Sequence, residues 1–199
     1  MASNKTTNNT EEVKVLFKDK HNSVVNAIRK TILDDVPTFA IEDVEIIKNE
    51  SPLYDDMMAH RLGLIPLSTD LESYNFKSDC SCGGVGCALC EVKLTLVQEE
   101  EGYVLSSSIA SDDPEISPVY KEIPVTKLKE GNSVEVSCKA ILGTGREHAK
   151  WSPAHAYLRE VEEGIELLIE PFGQLSSDKI YQKSIDILMQ KIDELEANI

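Results

Sequence analysis

Apolar and polar positions alternate over residues 13–18, where Val13, Val15 and Phe17 are interleaved with Lys14, Leu16 and Lys18. Successive strand side chains point to opposite faces, so this stretch predicts a half-buried strand. The period then changes. Val25, Ile28, Ile32 and Val36 recur at spacings of three and four, the stripe of an amphipathic helix, with Asn22 or Ser23 placed to cap its start and Pro37 to end it. Residues 40–48 predict a second strand, with Val44 and Ile46 among acidic neighbours. A short helix through Met57, Met58 and Leu62 follows, capped by Asp55 and stopped by a left-handed Gly63, and Leu64, Ile65, Pro66 and Leu67 form an apolar knot behind it. Residues 91–99, 103–109, 133–142 and 165–170 have strand character, punctuated by Gly102, Pro114, Pro118 and a Gly131-Asn132 turn.

The last helix has the clearest pattern. Ser176 can cap it, and Leu175 can fold back onto Ile180. Tyr181, Ile185, Leu188, Ile192, Leu195 and Ile199 then follow in steps of four and three, a heptad seam that wants a facing surface. Two arrangements fit: the seam packs on the chain's own sheet, or one stripe packs inward while Tyr181 or Ile187 is offered to a partner.

The chain has 199 residues, 41% hydrophobic and 28% charged, enough to bury a core in one domain or two small ones. Twenty Lys and Arg against thirty-five Asp and Glu give a net charge of -15, and no segment gathers the cations into a stripe. Phosphate neutralisation dominates affinity for nucleic acid, so direct contact with DNA or RNA is not expected. Residues 1–12 are rich in Asn and Thr with no apolar stretch and predict a loose tail, not a signal peptide. No segment approaches the ~20 apolar residues that cross a bilayer, and a cytoplasmic protein without membrane contact is expected.

Four of the five cysteines crowd together. Cys80, Cys82, Cys87 and Cys90 have the spacing CxCx4CxxC, with Gly83, Gly84 and Gly86 between the pairs. Four thiolates converging from a tight loop satisfy tetrahedral Zn²⁺ completely and leave no position for water or substrate, so the site is structural. Zinc is the default ion. An iron–sulfur cluster fits the spacing less well, and reduced unliganded thiols or a redox pair at Cys87 and Cys90 are the remaining readings. Cys138 shares the alternation of Val134, Val136 and Ala140 and is predicted to be a buried core thiol.

His60, His148 and His155, with Asp55, Asp56 and Glu147, could suggest general acid–base chemistry, but no nucleophile motif or phosphate loop accompanies them. His148, Lys150 and Trp151 predict a surface loop touching a neighbour, with the single tryptophan as anchor. Gly143-Thr144-Gly145 reads as a flexible turn, too short for a nucleotide fingerprint.

Five separated stretches resemble one family, which comprises the D-type assembly component of archaeal RNA polymerase, the bacterial α subunit's N-terminal domain and the eukaryotic third-largest polymerase subunit. They are Asn26-Ala27-Ile28-Arg29-Lys30, the run Ala59-His60-Arg61-Leu62-Gly63-Leu64-Ile65-Pro66-Leu67, the cysteine loop, Glu147-His148-Ala149-Lys150-Trp151-Ser152-Pro153, and Phe172-Gly173-Gln174-Leu175. The resemblance to the archaeal members runs in order from about Val13 onward. It implies an α+β fold: a dimerisation domain of helices on a small antiparallel sheet, residues 13–50 and 160–199, interrupted by an inserted β-rich domain, residues 51–159, that carries the cysteine loop at 80–90.

The resemblance also implies a role without catalysis, as a scaffold subunit of a DNA-directed RNA polymerase, a nucleotidyltransferase complex. Such a subunit pairs with the small subunit L, docks on the second-largest catalytic subunit and contacts other polymerase subunits. Tyr181, Ile185, Leu188, Ile192 and Leu195 would then meet subunit L, while Asn26, Arg29, His60, Arg61 and Leu62 would face the catalytic subunit. The cysteines match the zinc loop of the eukaryotic relative, with one more residue in the middle spacing. Some members carry a ferredoxin-like domain. Here only twenty residues, none of them Cys, separate Trp151 from Phe172, so no iron–sulfur cluster is expected. Two other classes remain: an independent zinc enzyme, which would need an open metal position, and a zinc module regulating transcription on DNA, which the net charge opposes.

Overall fold

The computed structural model describes residues 11–198. Most of the expected tail, residues 1–10, and the last seam position, Ile199, lie outside the described residues. In chain order the elements are β1 (Val13–Phe17), α1 (Asn22–Asp34), β2 (Thr38–Asn49), α2 (Asp55–Gly63), β3 (Glu91–Gln98), β4 (Gly102–Leu105), β5 (Ile109–Ser111), β6 (Pro124–Leu128), β7 (Val134–Gly143), β8 (Ala154–Val161), β9 (Gly164–Pro171) and α3 (Ser177–Ala197). The class is mixed, with three α-helices among the described residues and antiparallel sheets throughout. Contacts divide the chain into two compact units, Met1–Pro37 with Thr144–Ile199, and Thr38–Gly143.

In the first unit the strands lie in the order β1-β9-β8, with Val13 opposite Ile169 and Ile169 opposite Ala156. The apolar stripe is buried, Val25, Ile28 and Ile32 within α1 and Val36 two residues past its end, and the helix packs on β8, β9 and α3. His21 caps α1 rather than Asn22 or Ser23, its Nδ1 accepting from the Ser23 N–H. The helix therefore starts one residue earlier, because the imidazole reaches the first orphan donors. For α3 the cap is as expected: Ser176 Oγ accepts from the Lys179 N–H.

The second unit has a four-stranded sheet in the order β2-β7-β3-β5 and a two-stranded pair β4-β6. Strand β7 is central, and its alternate residues Val134, Val136, Cys138, Ala140 and Leu142 are buried with Leu94 and Leu96 of β3 and Met58 and Leu62 of α2. Phe39 meets Tyr74 edge to face at 4.9 Å.

The unit boundary differs from the sequence-drawn one at residues 50/51 and 159/160, because β2 pairs with β7 from Thr38↔Gly143 to Asn49↔Val134, whereas β8 pairs with β9. Strands β6 and β8 are additional to the expected set. Gly63 is not a left-handed stop: it is the last residue of α2, followed by Leu64 in the right-handed region. Tyr54, not Asp55, holds the N-cap position, and Asp55 and Asp56 fill the first turn, where carboxylates meet the positive end of the helix dipole.

Candidate metal centre and partner-facing surfaces

The cysteine loop is two tight turns. The Gly83 N–H donates to the Cys80 carbonyl and the Cys90 N–H to the Cys87 carbonyl. Gly83, Gly84 and Gly86 have φ of 67°, 84° and 106°, a region that side chains disfavour. At Gly86 a Cβ would also fall 2.3 Å from the Glu91 carboxylate. That carboxylate is nearly enclosed and faces Lys77 at 3.4 Å and Lys139 at 3.9 Å. Strand β3 begins at Glu91, directly after Cys90, so the loop is anchored to the sheet.

The four sulfurs lie within 4.8 Å of one another. Cys80–Cys87 is 3.5 Å, Cys82–Cys90 3.7 Å and Cys87–Cys90 3.9 Å. A tetrahedral ion with bonds of ~2.3 Å requires sulfur–sulfur edges of ~3.8 Å, so this donor set fits a metal ion geometrically. The Cys87 N–H donates to Cys90 Sγ at 3.4 Å, which stabilises a thiolate there. The Gly86 N–H is the main cause that draws the Cys82 thiol down to about 6, while burial pushes Cys90 up to about 12. Cys80 and Cys90 are buried, and Cys82 and Cys87 partly exposed. An open cleft of about 430 Å³ adjoins the loop, lined by Tyr74, Cys87, Glu91, Lys93 and Asp113 among others. Tyr74 donates from its hydroxyl to Asp113 in that wall. Cys138 stands apart from the cluster, 2% exposed, its thiol pushed up to about 11 by burial.

The predicted interface positions divide by burial. Asn26 and Arg29 are accessible on α1 and bonded to each other, Arg29 Nε to Asn26 Oδ1 at 3.0 Å. His60 and Arg61 are exposed on α2, and Arg61 also donates to the Pro124 carbonyl. Leu62 and Trp151 depart from expectation. Leu62 is 0% exposed within the core, because it lies on the inward face of α2 with Met58. Trp151 is 4% exposed, folded inward by a short 3-10 turn whose cap is His148 Nδ1 accepting from the Lys150 N–H, and Lys150 Nζ lies 4.3 Å from its ring centroid. Neither can be a surface anchor in this conformation.

On α3 the inward face is Ser177, Ile180 and Ser184. The seam lies beside it and emerges progressively: Tyr181, Ile185 and Leu188 are half-buried, while Ile192 is 41% and Leu195 65% exposed. Met189, 54% exposed, extends the stripe and was not picked out by the heptad count. A second stripe was also missed. Tyr54, Met57 and Leu64 are 80%, 53% and 50% exposed on α2 and its flanks. Their spacing, with Arg61 between, follows the same three-four-three rhythm and was readable in the sequence.

A family model described as the RNA polymerase Rpb3/RpoA insert domain matches residues 41–157. The chain belongs to that family. Its relatives include proteins named DNA-directed RNA polymerase subunit Rpo3. That of Methanosphaera stadtmanae is 48% identical over 132 residues, covering 64% of this chain and 48% of the relative. The Thermoplasma volcanium protein is 42% identical over 157 residues, 70% of this chain and 58% of the relative, and the Pyrococcus furiosus protein 39% over 149 residues, 75% and 55%. The chain thus spans about half the length of these curated relatives. The family match begins inside β2 and ends inside β8, so it includes the cysteine loop. No helix is long and apolar enough to cross a membrane among the described residues.

Proposed function

We propose that this chain is a non-catalytic assembly subunit of a DNA-dependent RNA polymerase, as the Rpo3 names of its relatives suggest. It would pair with a small polymerase subunit, the L subunit of the archaeal naming, and dock on the second-largest catalytic subunit. The observation that carries this reading is the apolar stripe left open along the second half of α3, where Ile192, Leu195 and Met189 face solvent. Exposing so much apolar side chain on one helix costs free energy in water, and a second protein laid over it recovers that free energy.

Contacts to the catalytic subunit fall to Asn26 and Arg29 on α1 and to His60 and Arg61 on α2. Cys80, Cys82, Cys87 and Cys90 hold one structural Zn²⁺, which fixes the loop and supplies no chemistry, since four thiolates fill its coordination. Tyr181, Ile185 and Leu188 form the half-shielded beginning of the seam, Ile192 and Leu195 its open end.

Co-expression with the small subunit is expected to give a one-to-one complex by light scattering after gel filtration. Replacing Leu188→Asp together with Ile192→Asp puts two charges into the covered seam and should abolish that complex. An intact complex would place the interface elsewhere.

A further inference from the structure

The stripe on α3 has two unlike borders. On one side lie Ile180, Ser184 and Lys191. Ile180 and Ser184 are fully buried, and Lys191 is tied to Asp35 at 2.6 Å, so this border belongs to the chain's own packing. Helical periodicity puts Glu196 between Ile192 and Met189, and Asp193 and Asp186 just past Met189, along the other border. All three are exposed and none is paired with a cation among the described residues. Lys191, the sole cation between positions 186 and 196, lies on the opposite border. The open flank of this part of the apolar seam is therefore uniformly acidic.

We infer that the surface seated on this seam is an amphipathic helix of a different protein whose apolar stripe is edged with lysines or arginines, and that a second copy of this chain is excluded. This rests on the assembly role proposed above. Twofold pairing of antiparallel helices sets each flank against its own copy, which brings carboxylate to carboxylate. Parallel pairing would need the opposite border, and α1 already packs against α3 there. Self-association would further bring together two chains of net charge -15. A basic-edged partner gains on the same flank that a copy loses, so hetero- over homo-pairing follows from one row of side chains.

The test is the full chain with Asp186→Lys, Asp193→Lys and Glu196→Lys, paired with the small polymerase subunit and compared with wild type by binding titration at low and high salt. All three positions are exposed, so the fold should survive, which near-native thermal melting checks. The expected result is a loss of affinity of about tenfold or more, with wild-type affinity falling as salt rises and the variant's dependence reduced or reversed. Unchanged affinity in the charge variant, with Leu188→Asp/Ile192→Asp still abolishing pairing, would overturn the charge inference and leave the assembly role standing. Unchanged affinity in both variants would overturn both. A wild-type chain that sediments alone as a stable dimer, disrupted by Leu188→Asp/Ile192→Asp, would also overturn the inference.

Discussion

Asp35, one residue past the end of α1, accepts from Arg146 Nη2 at 2.8 Å and Nε at 3.3 Å through one oxygen, and from Lys191 Nζ at 2.6 Å through the other. One carboxylate thus joins α1, the segment after β7 and the middle of α3 within the first unit. Charge-assisted hydrogen bonds contribute ~1.5–3 kcal/mol when shielded, whereas exposed ion pairs contribute ~0.2–1 kcal/mol. The Asp35 side chain is 15% exposed, but Arg146 is 66% and Lys191 42% exposed, so solvent screens much of the pairing. Asp35→Asn keeps the shape and one acceptor, and a loss of about 1–2 kcal/mol at neutral pH is expected.

Urea unfolding followed by the fluorescence of Trp151, the sole tryptophan and buried in the same unit, reads this directly. Burial alone would raise the carboxyl pKa of Asp35. Hydrogen bonds from Lys191 and Arg146, with their charges, outweigh that and hold it below the usual carboxylate value. The folded chain therefore binds fewer protons here than the unfolded chain. The stabilisation is complete above the ordinary carboxylate range and is lost as pH falls through the lowered folded value. The gap between wild type and Asp35→Asn should close in acid. No gap at neutral pH, or one that persists undiminished in strong acid, would refute the clamp.

Gly145→Ala should destabilise the first unit by about 3 kcal/mol, since its Cβ would stand 1.9 Å from the Leu33 carbonyl oxygen, backbone that cannot swing aside; the same fluorescence titration measures it. Elemental analysis is expected to find one zinc per chain, and loading the stripped chain should release protons, because thiols such as Cys90, pushed up to about 12 by burial, bind metal as thiolates. A loaded chain whose metal content is unaffected by Cys90→Ser would contradict the four-thiolate site. In metal-stripped but folded protein, a thiol reagent should modify Cys82 first, since it is partly exposed and drawn down to about 6, and Cys138 only on unfolding, since that thiol is 2% exposed and pushed up to about 11 by burial; a Cys138 as fast as Cys82 would be inconsistent with this.

Strong periodicity was legible. The stripe of α1, the register of Cys138 in β7 and the Ser176 cap of α3 each rest on local spacing, which burial of one face then enforces. The convergence of the four cysteines was legible for the same reason, since the loop is closed by its own turns. Features set by distant partners were not. Whether β2 joins α1 or β7 depends on pairing across about a hundred residues, and nothing in residues 38–49 states it. Trp151 looked like a surface anchor because aromatic residues are frequent at interfaces, but its exposure was decided by a short turn capped from His148. Leu62 was drawn into an interface by its neighbours His60 and Arg61, although its place on α2 beside Met58 and Ile65 directs it inward. Gly145 read as slack, and its real constraint is a carbonyl more than a hundred positions away in sequence.

Thr38 and Gly143, the first and last residues of the second unit, are direct partners across β2 and β7. The polypeptide thus leaves and re-enters at neighbouring points, about 5 Å apart, like a stem closed at its base. If this unit folds early, residues 37 and 144 are already held together. The remaining pieces then need not close a loop of about a hundred residues, an entropic saving on the order of 4 kcal/mol. The order of events during synthesis follows: β1 and α1 emerge first but wait, the interrupting segment is next to be complete as a whole, and the interrupted unit is completed only when β8, β9 and α3 arrive.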